Sequence, residues 1–291
     1  MFSHLIKYYP VFIFFIVVGF FSNIQAQNLK GDRWQEVKES GNGTITVTYF
    51  SMQGFAYQDE EGNYTGVSLD IINQFINFVK NSYNVNLQVD YKPQNDFVAF
   101  YNSVKNGEGG VFGAGNVTIT DERKEEVQFS PPYFTNIAVL ITNKAAENLE
   151  SLEEISTNYE DKTALVYEGT THEKRLMDLK QNLFPDMSME FIQSNKAAIE
   201  MTSSDVKYFS YVDLPIFWRA QKNNKQIKRQ PAGDQATESF GFIMPKNSDW
   251  NEPMEEFFAI GGGYRSNTTY RKILVKHLGV EVTKMLQLAR Q

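Results

Sequence analysis

Apolar positions change their spacing repeatedly along this chain, and each change marks an element. From Ile45 to Phe50 they alternate with threonines, the period-two pattern of a strand. Glu61-Gly62-Asn63 reads as a turn. Leu69, Ile72, Ile76 and Val79 then recur every three or four residues, which predicts an amphipathic helix over 68–80. Leu87 to Tyr91 reads as a second strand. Phe97, Phe100, Tyr101 and Val104 form another helical stripe, stopped by Asn106-Gly107. The stretch 113–117 is expected to be a glycine-rich edge of backbone, where glycine permits close approach of a ligand.

After Pro131-Pro132 the alternation resumes. A segment over 137–142 is expected to cross into a second lobe. A strand over 163–167 precedes Gly169-Thr170-Thr171 and a helix to about Gln181. A short helix over 195–203 and a strand over 208–212, ending at Asp213, follow. Phe240 to Met244 is apolar and returns the chain to the first lobe. Helices over 252–260 and 270–278 close it, the last ended by Gly279. Strands alternating with helices predict an α/β fold, and the lack of an internal repeat argues against a solenoid.

Ahead of these elements, Lys7, the apolar run Val11 to Phe21 and Ala26 before Gln27 have the layout of a secretory signal peptide over 1–26. The run is too short for a comfortable membrane span; an uncleaved anchor is the alternative reading. The chain has no cysteine, which excludes a lipid anchor through one, disulfides and thiolate metal sites. Cleavage leaves 265 residues, enough for two lobes, and takes the net charge from −7 to −8 by removing Lys7. That acidic balance argues against nucleic acid as a partner. The cluster Lys222, Lys225, Lys228 and Arg229 reads as a solvated turn rather than a docking patch. The histidines, His4, His172 and His277, are scattered, and His172, in a first helical turn, is expected at the surface. No metal cluster, Ser/His/Asp pattern or phosphate loop is present, so neither metal nor cofactor is expected.

The most informative stretch is Thr118 to Phe134, T-I-T-D-E-R-K-E-E-V-Q-F-S-P-P-Y-F. Thr120 is placed to cap a short helix carrying Arg123 just inside it. Threonine hydroxyls, free amides and a guanidinium then lie close together, which suits a carboxylate. Read alone, Arg123 is rather a surface arginine on an acidic helix, pairing with Glu126 or Glu122.

This stretch resembles the signature of the family 3 extracellular solute-binding proteins, the amino-acid receptors of ABC importers. The resemblance runs from about Thr44 to Gly279 and takes in Glu61-Gly62 with Gly66 and Asp70, Gly169-Thr170-Thr171, Gly263-Tyr264 and His277-Leu278-Gly279. It implies a two-lobed, type II periplasmic binding protein-like fold with two hinge crossings and a ligand cleft between the lobes. Lobe 1 is then 27–137 with 239–291, and lobe 2 is 138–238. By resemblance Arg123 and Thr118 grip the α-carboxylate of an amino acid. Thr170 with Glu173 has the form of a capping box; the resemblance adds that Thr170 and Thr171 present free amides to the ligand. It sets Asp213 against the α-ammonium group, where the residue alone reads as a helix cap or turn aspartate. Phe97 matches an aromatic wall position, and Tyr49, Met52, Phe55 and Tyr57 are further wall candidates, each otherwise ordinary core.

The chain also departs from the family pattern. Gln53-Gly54 stands in place of a proline pair, Asn116 in place of a frequent glycine, and Val111 and Tyr208 in place of aspartates. Tyr49 stands where some members carry an acidic ligand-binding residue. The function implied is a monomeric periplasmic receptor for an amino acid or related carboxylate, serving the membrane permease of an ABC transporter and not itself an enzyme. A ligand sensor feeding a separate membrane receptor is one alternative. A dehydratase-like catalyst on the same fold is another, with Glu168 and Asp213 as acid–base candidates.

Overall fold

The alternation along the chain becomes one nine-stranded mixed sheet with helices packed on it. The computed structural model describes residues 28–288, so the expected signal segment lies outside the described residues. The first elements are α1 (Trp34–Ser40), β1 (Asn42–Phe50), the short β2 (Tyr57–Gln58) and β3 (Tyr64–Thr65), α2 (Val67–Tyr83), β4 (Asn86–Gln94), α3 (Phe97–Lys105) and β5 (Val111–Thr118). Next come α4 (Asp121–Glu126), β6 (Val127–Phe129), β7 (Phe134–Asn143), α5 (Ile155–Asn158), β8 (Thr163–Tyr167), α6 (Thr171–Asn182), β9 (Ser188–Ile192) and α7 (Asn195–Ser204). The chain finishes with β10 (Tyr208–Asp213), α8 (Leu214–Lys222), β11 (Ile227–Pro245), α9 (Asn251–Ala259), α10 (Thr268–Leu278) and α11 (Val280–Leu288).

The strand order is β4-β1-β5-β11-β7-β10-β8-β9, with β6 paired to β11. At one end β1 runs parallel to β4 and β5; at the other β8 runs parallel to β9 and β10. Between them β7 and β11 pair antiparallel, and their register breaks twice between Gln230 and Glu238. These two central strands join the halves of the sheet, β11 pairing with β5 and β6 and β7 with β10, as the two expected crossings. The cleft lies beside them.

Parallel strands are covered on both faces, and β1 obeys that rule. Ile45 and Val47 are buried, and so are the alternating Thr46 and Thr48. Their hydroxyls are satisfied by main-chain carbonyls, Thr46 Oγ1 donating to Lys30 O at 2.6 Å and Thr48 Oγ1 to Lys92 O at 2.9 Å. The stripe of α2 buries Leu69, Ile72, Phe75 and Val79. Phe75 there meets the rings of Phe112, Trp250 and Phe257. The far end has a second core built around Tyr159, Leu176 and Phe209.

Two expectations about surface segments are corrected. Residues 113–117 are no edge, because β5 lies buried between β1 and β11. A Cβ on Gly113 would meet Ile243 at 2.5 Å and Val104 at 2.9 Å, so this glycine admits packing, not a ligand. The basic cluster is not simply a solvated turn either. Lys228 and Arg229 belong to β11, with Arg229 bonded to Asp234 and Lys228 to Asn148. Lys225 pairs with Glu200 and Lys222 with Glu281.

Two of the shorter motifs meet in space. Asp70 Oδ2 lies 2.7 Å from His277 Nε2 and 2.8 Å from Lys276 Nζ, tying α2 to α10. The turn at Glu61-Gly62-Asn63 joins β2 to β3, with Asp59 N donating to Asn63 O at 2.9 Å. The pattern left α1, α8, β9, α11 and most of β11 unread. No helix among the described residues is long and apolar enough to cross a membrane.

Candidate functional site

α4 has six residues, too few to hold itself, and Thr120 caps it by accepting the Arg123 amide at 3.2 Å. That bond fixes where the arginine starts. Its guanidinium lies over the rings of Phe97 and Tyr101, 5.1 and 5.7 Å from their centres. Nη1 donates to Thr118 O and Nη2 to Gly169 O, each at 3.1 Å. Each terminal nitrogen carries two hydrogens, so one on each remains for a ligand oxygen. The acids of its own helix are engaged elsewhere. Glu126 accepts from Lys105 at 2.5 Å and Tyr101 at 3.0 Å, and Glu122 from Lys174 at 2.7 Å. Arg123 thus pairs with no carboxylate among the described residues. Burial lowers its pKa, against the opposing pull of Tyr101 and Glu238, but a guanidinium keeps its proton in any protein.

Opposite Arg123, β8 turns into α6 through Gly169, whose φ is +75°. A Cβ there would meet Val98 Cγ2 at 2.8 Å, so glycine lets this turn close onto α3. The Thr170–Glu173 capping box forms with a difference. Thr170 Oγ1 accepts the Glu173 amide at 3.4 Å, while the Glu173 carboxylate reaches one residue further back, to the Gly169 amide at 2.7 Å. The amides of Thr171 and His172 have no partner among the described residues, the usual condition of a helix's first turn. Thr171 Oγ1 stands 3.3 Å from Thr118 Oγ1 across the cleft.

Asp213 is 3 % exposed and occupies the N-cap of α8, yet its side chain makes no cap bond. Its Oδ1 accepts Asn136 Nδ2 at 2.7 Å and lies 3.3 Å from His172 Nε2. Oδ2 accepts the side-chain amide of Asn116, the residue standing where the resemblance favours glycine. The amide oxygens of Asn116 and Asn195 are buried and have no donor among the described residues.

Arg123, Thr118, Thr170, Thr171, Asp213 and Phe97 all line one cavity of about 320 Å³, the open space at its mouth included. The structure therefore brings the six expected residues together. Phe50, His172 and Asn195 line it without having been anticipated, and Asn116, which the sequence marks only as a departure from the family pattern, joins them. Tyr167 lines it too, and burial pushes its hydroxyl up to about 12, so it stays a neutral wall. Of the other aromatic and methionine candidates only Met52 reaches the cavity. Tyr49 packs on Tyr64, Phe55 on Phe134 and Phe240, and Tyr57 near His277. Strand alternation accounts for the exchange, because Tyr49 and Phe50 leave β1 on opposite faces.

His172 is not at the surface. It is 5 % exposed, with Nε2 facing Asp213 and Nδ1 3.2 Å from Arg175 Nη1. Arg175 in turn bonds Glu238 of β11, whose Oε2 accepts Asn136 Nδ2 at 3.2 Å. A buried polar chain thus runs from the cavity into the paired crossing strands. His172 shares a face with Leu176 and Leu179, four and seven residues on, and that spacing was the signal for its burial. Glu168 is exposed and bonded to Gln193 at 3.2 Å, away from the cavity. No group of three or more potential metal ligands occurs among the described residues.

Solved structures share this architecture. An ancestral arginine-binding protein bound to arginine superposes with a TM-score of 0.65 at 23% identity, over 81% of this chain and 98% of that one. An ancestral amino acid-binding protein, a precursor of cyclohexadienyl dehydratase, gives 0.64 at 22%, over 84% and 98%. The arginine-, lysine-, histidine-binding protein ArtJ from the thermophilic bacterium Geobacillus stearothermophilus gives 0.64 at 22%, over 85% and 100%. At such identities the likeness establishes the fold, a two-lobed type II periplasmic binding protein fold. No curated protein sequence matches the chain. Residues 45–280, which hold every side chain of the cavity, match the bacterial extracellular solute-binding proteins of family 3, and to that family the chain belongs.

Proposed function

We propose that the chain is a periplasmic receptor that captures an amino acid or a related zwitterion and delivers it to the permease of an ABC importer. One observation carries the reading: a guanidinium without a carboxylate partner and a buried carboxylate face the same cavity. Arg123, Thr118 and the first amides of α6 receive the α-carboxylate. Asp213, with the unpartnered amide oxygens of Asn116 and Asn195, receives the α-ammonium, and Phe97 forms the wall beside it. Members of the fold that bind arginine or arginine, lysine and histidine support an amino-acid ligand. The lobes are residues 27–137 with 239–291 and residues 138–238, and the ligand favours closure by touching both. The receptor acts as a monomer, exported by the signal segment 1–26 and neither catalytic nor cofactor-dependent.

A second reading, a catalyst on the same fold, draws on the His172–Asp213 contact of 3.3 Å inside the cavity and on the dehydratase-precursor neighbour. Turnover of a bound compound would establish it and overturn the receptor.

The test is a thermal-shift screen with amino acids and their deaminated analogues. A ligand at a hundredfold excess over its Kd stabilises by about 2.7 kcal/mol. The expected result is a shift with zwitterions that the deaminated acids do not match, and an Asp213→Asn variant in which the two classes become equal. Equal shifts in the unaltered protein would remove Asp213 from this role.

A further inference from the structure

A second chamber adjoins the cavity. Phe50, Met52, Tyr167 and Asn195 also line this chamber, about 960 Å³ including its open mouth, between the end of β1 and helices α7 and α8. Ile199, Ile216 and Ala220 add apolar wall to it. A group bound between Arg123 and Asp213 thus has beside it a largely apolar chamber, roomier than the cavity itself.

Positive charge predominates in the lining of this chamber. Its cations are Lys196, Arg219 and Lys225, and its only carboxylate is Glu200. Glu200 is engaged, accepting Lys225 Nζ with both oxygens at 2.6 and 2.7 Å. Arg219 is half-buried and donates once, from Nη2 to His277 O at 3.1 Å. Among the described residues it pairs with no carboxylate and its remaining donors make no bond. A partly desolvated guanidinium with open donors is a receptor for an anion and repels a cation.

Resting on the zwitterion site argued above, we infer that the chamber takes the tail of an elongated amino acid, apolar along its length and negatively charged at its end, with Arg219 receiving that charge. The inference separates this chain from neighbours solved with arginine or lysine bound, whose cationic ligands Arg219 and Lys196 would reject.

Three probes share one zwitterion and tails of similar length: L-2-aminosuberate (anionic end), L-2-aminooctanoate (neutral end) and L-arginine (cationic end). Calorimetric titration of the purified protein should place aminosuberate first, about tenfold or more tighter than arginine, as one charge-assisted pair gained against one repulsion predicts. Arg219→Gln should remove that advantage while aminooctanoate holds within about twofold, with the melting temperature recorded to confirm folding. Arginine binding tightest, or an Arg219→Gln variant that changes all three probes alike or none, would overturn the assignment. Equal binding of all three by the unaltered protein leaves the zwitterion site standing and removes the tail site. Binding of none removes both.

Discussion

Arg123 and Arg175 stand on opposite sides of the same opening, and their surroundings differ in one decisive respect. Arg175 is bonded to Glu238, a buried carboxylate of the crossing strand, and touches His172 as well. Arg123 touches carbonyl oxygens and aromatic faces only, while its acidic neighbours are held by lysines and a tyrosine. Charge-assisted bonds to carboxylate are the strong ones, so one arginine is committed to the fold and the other is open to a ligand. Two residues of one type, a few turns of chain apart in space, are divided by their partners into structure and chemistry.

The comparison is broken most directly at Arg175. Arg175→Met leaves Glu238 buried without its cation and should cost about 3–5 kcal/mol in urea unfolding. Adding Glu238→Gln should recover most of that loss, because removing both charges is far milder than orphaning one. A small effect of the single variant would place Glu238 in ordinary solvent contact and erase the contrast. Arg123→Ala should act the other way round. Losing two charge-assisted bonds to a carboxylate weakens ligand binding by about a hundredfold or more, and folding stability changes by about 1 kcal/mol or less, as read by titration and urea. Equal losses of stability in the two arginine variants would show both to be structural.

The smallest effect belongs to a charge cluster outside both regions. Burial opposes ionisation of Asp70, but hydrogen bonds from His277 and Lys276 prevail and hold its carboxyl below the usual value. A carboxyl depressed in the folded state stabilises above its unfolded pKa, and the contribution is lost as pH falls through the folded one. Urea midpoints should therefore fall with pH below about 4 in the unaltered protein. In Asp70→Asn that part of the slope should be missing. An unchanged slope would mean that α2 and α10 are held by packing alone.

Much of the fold is written in spacing, and the Thr118 stretch carries its own helix, cap and arginine between Thr118 and Glu126. Local signals of that kind survive translation into structure because every partner is near in sequence: Thr120 with Arg123, Thr170 with Glu173. The polar chain at the crossing is different. Glu238 stands 63 residues from Arg175 and 102 from Asn136, and nothing near it in Q-A-T-E-S-F foretells burial. β11 escaped notice for the same reason at Lys228, which reads as surface until Asn148, 80 residues away, supplies its partner. Asn116 is legible only as a departure; its purpose, a bond to Asp213 across the cleft, requires both strands in place.

The placement of β11 also sets an order of assembly. Strands β7, β8, β9 and β10, with the first residues of β11, lie within one continuous stretch of chain, so their pairings form without the rest of it. At the other end β1, β4 and β5 pair among themselves, but that half is completed only when Phe240 reaches Thr118 and Asp249 reaches the Trp34 amide, the latter across 215 residues. Loop closure over such distances is slow to begin, though its cost grows only gently with length. The interior half should therefore nucleate first. The half that starts the chain should be the last to become resistant to proteolysis.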